Sequence, residues 1–152
     1  MFITMKKAIL TVAGITAIFL SSCSKEKMNT KELEDSNWKV TTYEFTQASN
    51  NQKIDMLQWN EITAHFSEGN KGTMVNVDKT DNSSETSNFT WDVSSDGKGV
   101  DITIEGDTEK RHFDFKEVKR DIESITYFNA NDAIDMEGKS ISGAMNMVFS
   151  KQ

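Results

Sequence analysis

The chain has 152 residues, 17 basic and 24 acidic, for a net charge of −7. That balance excludes a nucleic-acid partner, whose phosphates require a cationic face. With one cysteine and no proline, no intramolecular disulfide staples the fold, and Gly, Asn, Asp and Ser must form the turns.

Lys6 and Lys7 precede an unbroken apolar run, Ala8 to Leu20. It is shorter than the about 20 residues a transmembrane helix needs. A basic start, an apolar run and small residues before a cut describe an export signal. The next four residues, Leu20-Ser21-Ser22-Cys23, resemble the lipobox of bacterial lipoproteins. The resemblance implies cleavage between Ser22 and Cys23, a diacylglyceryl thioether on Cys23, and attachment to the cell envelope. The outer membrane is the expected site, with its face left open. The division expected is a signal at 1–22, a lipidated polar tether at 23–29 and one domain at 30–152. Without the signal, which holds Lys6 and Lys7 but no acid, the charge falls from −7 to −9. Such a domain has no basic patch for anionic lipid, so its membrane contact is expected through the acyl anchor.

Asn29-Thr30-Lys31-Glu32 reads as a capping box opening a short helix to Asp35. Period-two patterns follow. Trp38, Val40 and Thr42 alternate with Lys39, Thr41 and Tyr43, predicting a strand from about Asn37 to Thr46. Ile62 to Ser67 and Thr73 to Asp78 flank a Gly-rich turn, and Lys79 to Glu85 reads as a loop. Phe89, Trp91 and Val93 form one face of the next strand. Asp96-Gly97 is a strong hairpin signal, and Val100 to Glu105 returns. His112 to Val118, Ile122 to Asn129 and Ala144 to Lys151 complete eight strands, with Asn131 to Gly143 as the longest late loop. Eight short strands joined mostly by tight turns indicate an antiparallel sandwich or barrel. Closure removes exposed edges, which favours an up-and-down barrel.

A helix ending near Leu33, followed by Ser36-Asn37-Trp38-Lys39-Val40, is similar to the opening of lipocalin-like domains. Ser36 stands where that family has glycine. Gly72-Thr73, Phe89-Thr90-Trp91, Asp96-Gly97-Lys98 and the final Val148-Phe149-Ser150-Lys151 extend the similarity over most of the domain. The chain thus resembles lipid-anchored, lipocalin-like proteins of the Bacteroidota type. The resemblance implies that Trp38 closes the barrel base with Leu33, and that the interior holds a small apolar molecule.

The chemistry of catalysis is thin. Cys23 is assigned to lipid, and His65 and His112 lie on polar faces. The acidic groups Asp78, Asp81, Glu85 and Asp132, Asp135, Glu137 do not fit a calcium loop. No phosphate loop, nucleophile elbow or zinc-protease motif occurs. The expectation is a protein that is not an enzyme and has no metal or cofactor. Candidate ligand-lining residues are Phe66, Phe89, Trp91, Phe113, Phe115, Met145 and Met147, and Trp59 falls in a presumed loop at the barrel mouth. An eight-stranded barrel is either filled by its own side chains or holds one small ligand. Two readings follow: a binder of a small hydrophobic molecule, or a filled module that meets an envelope protein partner.

Overall fold

A computed structural model describes residues 24–152. The signal, its cleavage point at Ser22 and Cys23 lie outside the described residues.

Alternating burial drives the chain into one nine-stranded antiparallel sheet. Its strands are β1 (Ser36–Gln47), β2 (Lys53–Asp55), β3 (Asn60–Ser67), β4 (Lys71–Asp78), β5 (Ser84–Val93), β6 (Gly99–Ile104), β7 (Lys110–Val118), β8 (Asp121–Met136) and β9 (Lys139–Lys151). From β3 onward each strand pairs with the next, and β9 returns to β1 from Trp38↔Lys151 to Gln47↔Gly143. The result is a closed eight-stranded barrel with one short helix. The ninth strand, β2, was not foreseen. It shares the other edge of β1 with β3: Ser36 to Lys39 pairs with β3, and Glu44 to Thr46 pairs with β2. A single-turn 3-10 helix, Met56–Gln58, follows it.

Two expectations about elements are corrected. Asn131 to Gly143 is not a loop. β8 and β9 continue as a long hairpin, with Ile134 opposite Ile141 and a turn at Glu137-Gly138. The alternation of Ile134 and Met136 with polar neighbours carries the strands onward, and a bulge between Asn129 and Asp132 absorbs the irregularity. The helix α1 spans Lys25–Leu33, not Thr30 to Asp35, and Ser24 is its N-cap, accepting a hydrogen bond from the Lys27 amide. Asn29 does not cap. It is buried, and its side-chain amide donates to the Gly97 carbonyl (2.7 Å) and to Glu117 (3.0 Å). Glu32 accepts from the Ile122 amide. Ser24 to Asn29 is therefore helix packed on the barrel, not a free tether.

Helix α1 closes one end, here called the base, together with the β3–β4, β5–β6 and β7–β8 turns. Asp35, at φ 57°, turns the chain from the helix into β1. Leu33 and Trp38 are both fully buried in the core at this end. The Trp38 indole N–H donates to Ser36 Oγ (2.8 Å), and Ser36 donates to the Leu33 carbonyl. Lys151 Nζ lies 5.9 Å from the centre of the Trp38 ring. Ser36 thus ties the helix end to the tryptophan.

Candidate functional site

The interior divides into two unlike halves. In the base half, Phe66 sits at the centre of an edge-to-face cluster. Its ring lies 5.2 Å from Phe89, 5.5 Å from Trp91 and 6.3 Å from Trp38. Such arrangements suit the quadrupoles of the rings. A Cβ on Gly72 would fall 2.2 Å from the Phe89 ring, so that glycine is what lets the ring lie flat on β4. Phe113 packs against Phe149 at 5.9 Å and Tyr127 at 5.2 Å. Phe66, Phe89, Trp91 and Phe113 are all at most 4% exposed. Four of the seven expected lining residues therefore fill the base half against one another.

The mouth half lies at the opposite end, beneath the β1–β2, β4–β5, β6–β7 and β8–β9 connections. Its buried nucleus is Phe45, Ile54 and Met145, in register across β1, β2 and β9. Tyr43, Met56, Tyr127, Ile134, Met136 and Ile141 pack around it and remain only partly buried. Met147, between the two halves, and Phe115, near the base where its amide donates to the Lys98 carbonyl, are likewise half-buried. Phe45 reaches this position because β9 presents a glycine: a Cβ on Gly143 would meet the Phe45 ring at 2.6 Å and the Thr46 carbonyl at 2.2 Å. Burial pushes the Tyr43 hydroxyl above its ordinary range, and the negative charge of Asp132 pushes it further. Trp59 follows the 3-10 helix and is 36% exposed. Its carbonyl accepts from the Lys79 amide (2.8 Å), which ties it to the β4–β5 turn.

Simple alternation places Tyr43 on the face opposite Trp38. The structure places both in the core, because the register of β1 against β9 shifts between Val40 and Thr42. One extra residue in a strand inverts every later side chain. Thr41 is that residue. Its hydroxyl stays outside, 2.9 Å from Ser150 Oγ. Phe45 and Tyr43 thereby join the mouth, a pair that strict alternation hides. Ile134, Met136 and Ile141 were hidden by the polar composition around them.

The polar candidates stay on the outer face. His65 bonds Asn37 at 2.9 Å. His112 bonds Asp101 at 2.7 Å and faces Asp114 at 3.5 Å. That bond to His112, followed by Lys110, holds the Asp101 carboxyl below its usual range. Among the described residues no group of three or more His, Asp or Glu is placed to hold a metal ion. An open concavity of about 700 Å³ lies over β4, β5 and β6, with Lys71, Thr90 and Thr103 in one rung and Thr73 and Asn88 in the next. The flanking Phe89 and Trp91 point inward and are buried, so this hollow is on the outside of the barrel wall. Asn88 donates to Glu105 across it (2.8 Å). The chain matches no protein-family model and no curated protein.

Proposed function

We propose that this is a non-catalytic, lipid-anchored protein of the cell envelope whose lipocalin-like barrel binds a small hydrophobic molecule at its mouth. One observation carries the reading. The base half is sealed by aromatic rings, whereas the mouth ends in partly exposed Tyr43, Met56, Ile134, Met136 and Ile141. A merely structural core gains nothing from leaving such side chains half in water. Methionine adapts to irregular ligands, and each 100 Å² of apolar surface covered contributes roughly 2.5 kcal/mol before the costs of binding. The lipobox at Leu20 to Cys23 supports the anchor and the envelope address.

The test is titration with N-phenyl-1-naphthylamine, a neutral apolar dye. Trp59 stands at the rim as a built-in donor for energy transfer. Saturable dye fluorescence is expected, with loss of the signal in Met136→Glu and retention in Phe128→Ser. Phe128 points outward at 63% exposure. Binding that is unsaturable, or indifferent to Met136→Glu, refutes the reading. The second reading, docking of an envelope protein, rests on that exposed Phe128. It is favoured if Phe128→Ser releases a partner that co-purifies with the protein.

A further inference from the structure

We infer that the barrel stands base-down on the lipid surface, with α1 as its contact and the mouth held away from the membrane. The inference rests on lipidation at Cys23. It adds an orientation that anchoring alone does not give, because a flexible tether would let the domain tumble.

Among the described residues there is no such tether. Ser24, the residue after Cys23, is already the N-cap of α1. The helix is fixed to the barrel at three places. Asn29 bonds the Gly97 carbonyl and Glu117, Lys25 pairs with Glu117 at 3.1 Å, and Glu32 accepts from the Ile122 amide. Gly97, at φ 66°, would place a Cβ 2.8 Å from the Lys25 side chain, so the β5–β6 turn closes directly on the first turn of the helix. Consecutive Cα atoms are about 3.8 Å apart, so acyl chains on Cys23 enter the bilayer within one residue of the rigid domain.

The surface around that point suits a lipid headgroup layer. Met28 is 47% exposed on α1, beside the exposed Lys25, Lys27 and Lys31. Lys119 and Arg120 form the neighbouring β7–β8 turn. Glu26, Glu34 and Asp35 share this end, so the base is mixed in charge and not strongly basic. The opposite end is acidic on balance: Asp78, Asp81, Asp107, Glu109, Asp135 and Glu137 outnumber Lys79, Lys110 and Lys139 in or beside its turns. Between an anionic bilayer and these two ends, repulsion disfavours the mouth. β8 has 16 residues, which at about 3.3 Å per residue and a tilt near 40° puts its far turn roughly 40 Å from the base.

The test uses the lipidated protein purified from membranes and reconstituted in phosphatidylethanolamine and phosphatidylglycerol vesicles. With Cys23 blocked by lipid, an introduced cysteine is the only reactive thiol. Lys98→Cys reports the base and Lys139→Cys the β8–β9 turn, each carrying an environment-sensitive dye against headgroup spin-labelled quencher. Quenching severalfold stronger at residue 98 is expected. Ten Gly-Ser residues inserted between Cys23 and Ser24 are expected to erase that difference while the protein still floats with vesicles. Flotation with equal quenching at both sites overturns the orientation and leaves the anchor intact. A difference that survives the insertion overturns the role of the short connection. Failure of the unmutated protein to float overturns the anchor itself, and the orientation with it.

Discussion

Replacing Trp38 by alanine tests the base of the barrel most directly. Trp38 is fully buried, touches the Phe66 ring edge-on, donates its N–H to Ser36 and lies under the Lys151 ammonium. Its removal leaves a large void lined by Leu33, Phe66 and neighbouring core residues. Phe or Trp to Ala at such sites costs about 3–5 kcal/mol, a large share of the about 5–15 kcal/mol of a typical domain. Ser36 still donates to the Leu33 carbonyl, so no orphaned polar group adds to the loss. With a urea slope of about 2 kcal/mol per molar, the midpoint falls by about 2 M. Trp59, 36% exposed at the rim, is the control, and Trp59→Ala costs about 1 kcal/mol or less. Urea titrations of residues 24–152, followed by circular dichroism, read both. Equal midpoints, or a larger loss from Trp59→Ala, refute the assignment of Trp38 as the plug.

Gly143→Ala places a methyl against the Thr46 carbonyl and the Phe45 ring. Because one obstacle is backbone, the β1–β9 seam must spread, and a loss of about 1–3 kcal/mol in thermal or urea unfolding is expected. Gly106→Ala, with open space but φ 86°, is expected to cost about 1 kcal/mol through backbone strain alone. Hydrogen bonds from Asn29, then Lys25, hold the Glu117 carboxyl below its ordinary range. On acidification the unfolded chain therefore takes up the proton first. The contribution of Glu117 is complete above its unfolded pKa and disappears as pH falls through the lower folded value. The protection of α1 amides, taken relative to their intrinsic exchange at each pH, should fall over that acid window, and Glu117→Gln should flatten this part of the profile. Cys23→Ala should move the protein from the detergent phase to the aqueous phase in a partitioning assay. Equal partitioning of the two forms refutes lipid attachment at that residue.

The barrel was legible because most of its strands bury every second residue, and because its turns advertise themselves. Asn70, Asn82 and Gly97 all adopt the left-handed conformation that their residue types favour. Where the structure departs, the cause lies outside local pattern. Lys119 and Arg120 form a two-residue turn at positive φ, a role nothing in either side chain announces. Asn29 and Glu32 have the spacing of a capping box, but partners on β5–β6, β7 and β8 claim both side chains. Tertiary contacts thus moved the helix start to Ser24. The bulge at Thr41 inverted half of β1 and delivered Tyr43 and Phe45 to the mouth. The pairing of Trp38 with Leu33 came from the resemblance to lipocalin-like openings and not from alternation, because Leu33 ends the helix while Trp38 lies in β1. Most of the mouth was missed, because it depends on a bulge, a glycine opposite Phe45 and a hairpin rich in acids.

The seam between β1 and β9 governs how the barrel is born. Apart from β1 with β3, which only skips the short β2, every other strand pairing joins neighbours along the chain, so these contacts form as fast as they appear. The seam unites the two ends of the domain and is the slow, entropically costly step. A chain delivered from its amino terminus is an open ribbon until its last residues arrive. Throughout that interval the edges of β1 and β8 stay bare, and bare edges invite strands from other molecules. Soluble yield should therefore depend on shielding the incomplete ribbon, more than on the stability of the finished barrel.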